Sequence, residues 1–393
     1  MARFFERRTG PLFCPELWAV KIERKNPNVI GDVANVRILA LNLLTFPMSS
    51  ASSFSDRHRF FRLLLLGINF AAGTTTALSA AESTTGFLLV ANKGDQSLSI
   101  VDPTTERQLA RVAENGITGH EVAASPDGRR AFVPIFGNSG VGKPGTDGSL
   151  IRVIDLEKRS VCGTIDFSRG VRPHCPVFGP KNGLLYVTTE LENSVTIIDP
   201  VTLGILGTIP TGQPQSHMLA ISRDGRRGYT ANVGSGTVSV LDLEQRSLLS
   251  TIPVSPMVQR ISLSVDDRWA FTADQTALRL VVIDTATNAI HTSIPLPGTA
   301  YGTAPSPDGR WLVVTHPSVN KVSLVDLTTM KVIHTLDVPK APQAVIVRPD
   351  GAVAYVSCDS SGQIAVIDLK SWQVTRLIDV GPMADGLAWA QNR

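Results

Sequence analysis

From residue 86 onward the chain repeats one passage of text. An apolar run ending in aspartate recurs seven times: "SLSIVD" at Asp102, "IRVID" at Asp155, "VTIID" at Asp199, "VSVLD" at Asp242, "LVVID" at Asp284, "VSLVD" at Asp326 and "IAVID" at Asp368. The last four aspartates stand 42 residues apart. A turn recurs with them: "SPDGRR" at Ser125, "SRDGRR" at Ser222, "SVDDRW" at Ser264, "SPDGRW" at Ser306 and "RPDGAV" at Arg348. The unit from Ser216 to Val254 reads as four short strands, "HMLAIS", "RRGYTAN", "GTVSVLD" and "RSLLSTIPV". In the turn, proline presets φ, aspartate bonds its own backbone and glycine takes the left-handed conformation. The third strands alternate apolar and small polar residues, as half-buried strands do. Their terminal aspartates are expected to be turn acceptors.

A four-stranded repeat of about 40 residues is the mark of a β-propeller blade. One blade cannot bury both faces of its sheet, but blades stacked about an axis cover each other, and a closed ring leaves no uncovered end. The repeat opens on "GFLLVANKGD", which matches a second strand, and ends on "DGLAWAQNR", which matches a first strand with nothing after it. One blade is therefore expected to combine both ends, with Leu387–Trp389 innermost, followed by residues 86–112. The fold class is all-β: seven four-stranded blades closed by pairing the C-terminal strand with the N-terminal blade, over one domain, 82–393.

The passages "YVTTELENSVTIIDPVTLGILGTIPTG" and "YTANVGSGTVSVLDL" resemble the YVTN-type propeller repeat of bacterial surface and periplasmic proteins. The resemblance covers nearly all of 86–393. It implies the fold and leaves the function open, because similar architectures serve sugar-lactone hydrolases, the haem domain of a nitrite reductase, a multi-histidine copper enzyme and plain binding proteins.

The first 81 residues read differently. After Met48, Arg57, Arg59 and Arg62 precede a short apolar core, Leu63 to Gly73, too short to span a bilayer permanently. Ser79-Ala80-Ala81 then supplies small residues ahead of a cut before Glu82. This is the pattern of a secretory signal peptide over 48–81, with 1–47 an over-extended or disordered N-terminal stretch. The expected location is periplasmic or secreted, with no stable membrane span in the mature chain. The leader also carries the basic charge. Residues 1–81 hold ten Lys/Arg and five Asp/Glu, so the whole-chain +3 becomes −2 for the remainder. With no basic patch interleaved with aromatics, nucleic acid is not an expected partner. Cys162, Cys175 and Cys358 are too few and odd in number for a fully paired framework, although Cys162 and Cys175 could pair in an oxidising compartment. No C-x-x-C-H haem site and no G-x-S-x-G elbow occur.

In a propeller the first strand of each blade lines the channel, and its leading residue sits on the top face. Eight positions before the turn glycine, the repeat gives His120, His217, Gln259, Tyr301, Gln343 and Asp385. In "RPHCPVFGPKNG" the count falls on Cys175, but the longer turn favours His174. Glu121 and Arg260 follow two of these positions, so nine residues are expected to form a polar ligand site: His120, Glu121, His174, His217, Gln259, Arg260, Tyr301, Gln343 and Asp385. Chain order is ring order, so Asp385, His120, His174 and His217 occupy adjacent blades. Three imidazoles and a carboxylate are a donor set for a divalent metal at the channel mouth. No other cofactor is indicated.

An insertion, "PIFGNSGVGKPGTDGS" (134–149), is expected on the same face above His174, where long loops bind or cover ligands. It contains "GNSGVGK", a formal match to a phosphate-binding loop, but Pro144 stands where Ser or Thr should hold magnesium, and no helix follows. The ends of the second strands, Asn92, Asn232, Asp274, His316 and Cys358, are expected mostly as turn acceptors, with Asp274 and His316 extending the polar pocket. Trp269 and Trp311 are expected in blade packing. Three function classes fit these features. One is a monomeric binding scaffold that holds a small ligand or a protein partner on its top face. The others are a metal-dependent lactone hydrolase or redox enzyme and a surface adhesin.

Overall fold

The computed structural model describes residues 85–391; the leader and extension expected over 1–81 lie outside the described residues. The described chain forms seven four-stranded antiparallel sheets, here blades I to VII. Blade I sets the C-terminal strand Ala384–Gln391 against Gly86–Asn92, followed by Ser97–Asp102 and Arg107–Ala113. The first strands of blades II to VII are Ala123–Ala124, Pro173–Phe178, Ser216–Ile221, Val258–Leu263, Thr303–Pro305 and Pro342–Val347. Neighbouring first strands touch all the way round, VII against I and I against II included, so the ring closes as expected.

The burial pattern explains why the sheets stack. The two middle strands of a blade are mostly buried, as in Arg227–Asn232 and Thr237–Asp242, the first strands are partly so, and the outermost strands alternate, as in Arg107–Ala113 and Ile205–Pro210. Each outer strand is held by one inward aliphatic at a matched position: Val112, Ile165, Ile209, Ile252, Ile294 and Ile378 are buried, and Leu336 is partly buried. Burying such a side chain contributes roughly 1.5–3 kcal/mol. The apolar core is divided into clusters that lie between blades. Leu88, Val101, Tyr355, Val366 and Leu387 fill the seam between VII and I, where the two ends of the domain meet. Phe132, Val153, Leu185 and Val187 fill the seam between II and III. Trp269 packs in the seam between V and VI, and Trp311 against that between VI and VII.

The turns behave as their chemistry requires. All seven third-strand aspartates accept a backbone N–H two residues on, from Thr104, Glu157, Val201, Glu244, Ala286, Thr328 and Lys370. In the first hairpin, Ser125 Oγ donates to Asp127 Oδ1 at 2.6 Å, an arrangement repeated at Ser222–Asp224 and Ser264–Asp266. The next position is left-handed. Gly225 has φ 73° there; in blade V it is Asp267, φ 60°, one of the few residue types other than glycine that tolerates this region.

Among the described residues no helix is long and apolar enough to cross a membrane. The cysteines correct one expectation. Cys162 lies exposed on the outermost strand of blade II, Ser160–Asp166, and Cys175 is buried on the first strand of blade III; both thiols are free. The strands are on opposite edges of their sheets, so the fold itself keeps them apart.

Candidate functional site at the channel mouth

The repeat position that leads each first strand does reach one place, and an irregularity in the ladder aims it. In blades III, IV, V and VII the pairing of first and second strands slips at this position. His174 falls between the paired Pro173 and Pro176, His217 between Ser216 and Met218, Gln259 and Arg260 between Val258 and Ile261, and Gln343 between Pro342 and Val345. Asp385 and Gly386 are skipped in the same way in blade I. Such bulges release a side chain from the alternation of the sheet and re-aim it. In blades II and VI the first strand is short, and His120 and Tyr301 precede it. The longer turn in blade III resolves the ambiguity there: His174 faces the mouth, and Cys175 packs inward with its Sγ 3.7 Å from Leu219 O.

A buried ion network crosses the centre. Arg260, from blade V, places Nη2 2.6 Å from Glu121 Oε1 of blade II and 3.1 Å from Asp385 Oδ1 of blade I, with its guanidinium carbon 4.7 Å from the centre of the Tyr301 ring. Lys93 extends the network, with Nζ 3.0 Å from Asp385 Oδ2 and 3.1 Å from Asp359 Oδ2. Arg260, Glu121 and Asp385 are all buried. Burial works against the Asp385 carboxylate, but Lys93 and Arg260 outweigh it and hold the pKa below the usual aspartate value. Burial wins at Glu121, whose pKa rises to about 7 despite Arg260. For Lys93 too, burial is the largest influence and favours the neutral form, but Asp385 and Asp359 together outweigh it and keep the ammonium charged.

The three histidines cluster on one side. The His174 and His217 rings stack with centroids 3.6 Å apart, and His120 meets His174 edge-on at 5.5 Å. Phe136, fully buried, stands among all three at 4.8, 5.2 and 6.0 Å. His174 Nδ1 lies 3.2 Å from His217 O, and His217 Nδ1 is 3.8 Å from Glu190 Oε2. Desolvation pushes the His120 pKa down to about 4 and the His217 pKa to about 3, and holds His174 well below the ordinary range, so all three are neutral imidazoles at pH 7.

This arrangement does not fit a single metal ion. Metal–nitrogen bonds of about 2 Å need imidazole lone pairs converging on a point. His174 and His217 instead present ring faces to each other, and Asp385 is engaged by two cations. Among the described residues no group of three or more His, Cys, Asp or Glu side chains is placed to hold a metal ion. His120, His174, His217 and Asp385 thus form a stacked aromatic cluster beside a salt-bridged carboxylate.

The insertion lies against the histidine side, as expected. Its ends extend two strands, Arg130–Gly137 and Asp147–Asp155, which leaves 138–146 as the loop. Arg172, just before His174, clamps it: Nε bonds Asp147 Oδ1 at 2.7 Å, Nη2 bonds Lys143 O at 2.7 Å, and Nη1 lies 3.2 Å from Glu190 Oε1. Gly142 N–H donates to the same Glu190 oxygen at 3.0 Å. The phosphate-loop lookalike therefore joins two strands and gives an amide to an internal carboxylate.

The opposite side is open. A pocket of about 360 Å³ lies between blades V, VI and VII, lined by Gln275, Thr299, Ala300, Tyr301, Pro317, Ser318 and Gln343. Two of the nine expected residues, Tyr301 and Gln343, are in its wall. Gln259 is partly buried on blade V and does not line the pocket.

The ends of the second strands carry one correction: Asp274 is a turn acceptor, taking the Thr276 N–H at 2.8 Å, but neither it nor His316 lines the pocket. Asn92, Asn232, Asp274 and His316 are fully buried and bond the third strand or its turn. Asn92 Nδ2 bonds Ser99 Oγ, Asn232 Nδ2 bonds Ser239 Oγ, and His316 Nε2 pairs with Ser323 Oγ, so Asp274 and His316 do not extend the pocket. At the matched positions one residue beyond Asn92, Thr189, Asp274, His316 and Cys358, the side chains do reach the mouth: Lys93, Glu190, Gln275, Pro317 and Asp359. Successive strand residues face opposite ways, so the right repeat position was one residue further on.

Comparison with known proteins agrees with the architecture. A profile described as YNCE-like beta-propeller matches residues 297–392. A 6-phosphogluconolactonase of Bacillus subtilis (strain 168) is 30% identical over 95 residues, which spans 22% of this chain and 27% of that protein. Among solved structures, Kuenenia stuttgartiensis hydrazine synthase superposes with a TM-score of 0.63 at 18% identity, over 77% of this chain and 99% of that one. Dihydro-heme d1 dehydrogenase NirN in complex with DHE superposes with a TM-score of 0.58 at 15% identity, over 78% of this chain and 75% of that one. At such identities the two structures bear on the fold alone.

Proposed function

We propose that this chain is an exported β-propeller that holds a small ligand at the top-face channel mouth and does not transform it. The leader pattern over 48–81 supports export. The observation that carries the binding reading is the state of the mouth's charged groups: the two buried carboxylates, Glu121 and Asp385, are already paired with cations of the protein, and of the three imidazoles only His120 is partly exposed. Glu121 and Asp385 face Arg260, Asp385 also faces Lys93, His174 Nδ1 faces a carbonyl, and His217 is stacked and buried. A general base needs a free lone pair within reach of the substrate proton. Open polar groups remain in the pocket beside Tyr301, where they would bind rather than react.

Lactone hydrolysis is the second reading, supported by the partial match to a lactonase and by His120, a neutral imidazole partly exposed at the rim. Titration of the purified protein with glucono-δ-lactone separates the two. Calorimetry should give saturable binding while a pH-stat records acid release at the uncatalysed rate. Sustained acid release that disappears in His120→Ala would replace the binding reading with the hydrolase.

A further inference from the structure

We infer that the ligand seat is the off-axis pocket on blades V to VII, and that it takes an uncharged ligand of one or two rings bearing several hydroxyl or carbonyl groups, of the monosaccharide kind. The inference rests on the binding reading above and narrows it in place and chemistry.

The first argument is charge. No side chain lining the pocket is ionisable at neutral pH. The nearest cation, Arg260 beneath the Tyr301 ring, is already opposed by Glu121 and Asp385, and Lys93 by Asp385 and Asp359. An ionic ligand would give up part of its hydration and find no unpaired counter-charge to replace it. A neutral ligand avoids that cost.

The second argument is the balance of hydrogen-bonding groups. Gln275 Nε2 is held by Ala300 O at 2.8 Å, which leaves its Oε1 as an acceptor. The Tyr301, Thr299 and Ser318 hydroxyls both donate and accept, and so does the Gln343 amide. Hydroxyl groups on a ligand also donate and accept, so they match this mixed lining. Pro317 supplies an apolar surface for the C–H face of a ring. The volume of about 360 Å³ is at the small end of ligand pockets, which run from roughly 300 to 1,000 Å³.

The third argument is that the wall is pre-set. Thr315 Oγ1 donates to Gln343 O at 2.6 Å and accepts from Gly302 N–H at 2.7 Å, while Tyr301 N–H bonds Thr315 O at 2.9 Å. A single threonine thus fixes both Tyr301 and Gln343. Gly302 permits it: a Cβ there would lie 2.4 Å from the Gln343 carbonyl oxygen and 3.1 Å from Thr315 Oγ1, so any side chain would push the wall apart. A fixed wall binds without first losing its own freedom.

The test is calorimetric titration of the full chain with N-acetylglucosamine and glucose, against glucose 6-phosphate, gluconate and protonated glucosamine. The neutral sugars should bind at least tenfold tighter than the three ions. Tyr301→Phe and Gln343→Leu, each checked by circular dichroism, should weaken the neutral sugars by about threefold to tenfold, the worth of one hydrogen bond. Arg129→Ala, on the opposite face, should not. Tighter binding of any of the ions would overturn the ligand class and leave a top-face binder standing. Weakening by His217→Gln with none from Tyr301→Phe or Gln343→Leu would overturn the seat. No binding of any of the five probes, with folded protein throughout, would overturn the inference and count against the binding function itself.

Discussion

The channel mouth has two halves built from the same repeat positions, and they have opposite fates. In blades II to IV the leading residues are His120, His174 and His217. His174 and His217 stack, His120 and Phe136 pack against them, and the 138–146 loop is clamped alongside by Arg172 and Glu190. In blades V to VII the corresponding residues include Tyr301 and Gln343, and the space beside them remains a pocket. The difference lies in what arrives between the second and third strands. Blade II sends a long hairpin and a phenylalanine, whereas blade VI makes a single 3-10 turn, Pro317–Val319, that stops short. A propeller mouth is thus filled or left open by its hairpins, and a cluster of histidines on the filled side is part of the packing.

Arg260 joins the halves, and removing it should have the largest effect. Arg260→Met leaves Glu121 and Asp385 facing each other, buried, without the shared cation. We expect a loss of about 3–5 kcal/mol in urea denaturation, the usual cost of breaking a buried ion pair from one side. A loss under about 1 kcal/mol would mean that the halves are not coupled through this residue.

The contrast between filled and open halves predicts unequal truncation costs. Phe136→Ala removes a fully buried ring from among three imidazoles and should cost about 3–4 kcal/mol. Tyr301→Ala removes a partly exposed ring that lines a pocket and should cost clearly less, about 1–2 kcal/mol. Equal costs would erase the distinction.

The smallest expected effect is on pH dependence. A buried imidazole whose folded pKa is depressed, to about 3 at His217, stabilises the fold fully above its unfolded pKa near 6.5. That stability is lost as pH falls toward the folded value, because only the unfolded chain takes up the proton. Glu121, raised to about 7 by burial, and Glu114, a buried carboxylate that accepts from Gly119 N–H and is likewise raised to about 7, act with the opposite sign. Their contribution is present below about pH 4.5 and is lost as pH rises through 7. His217→Gln should therefore flatten the acid side, so that the stability lost between pH 7 and pH 4.5 shrinks by on the order of 1–2 kcal/mol relative to the parent. An unchanged acid limb would mean that His217 is already solvated.

How far the site was legible can be judged residue by residue. The spacing of the aspartates predicts seven blades, and the mismatch of the two ends predicts how the ring closes, because both follow from hydrogen-bonded strands that must be covered on both faces. The leading residues were also legible, including His174 over Cys175. Lys93, Glu190, Gln275 and Asp359 were within reach, one residue beyond Asn92, Thr189, Asp274 and Cys358, but a strand reverses its side chains at every step, and only the paired register shows which of two neighbours faces the mouth.

The repeated text by itself determined a closed ring of seven sheets, the turn that ends each strand and the set of residues that leads into the channel, since each of these depends on local periodicity and on the need to cover both faces of a sheet. Only the tertiary structure decided that three imidazoles would pack face to face and edge to face instead of converging, that an arginine from blade V would reach carboxylates in blades I and II, and that a pocket would lie on the side without histidines. Those outcomes depend on ångström-scale distances across the axis between residues far apart in sequence, such as Arg260 and Asp385, and on which hairpin fills the space between them.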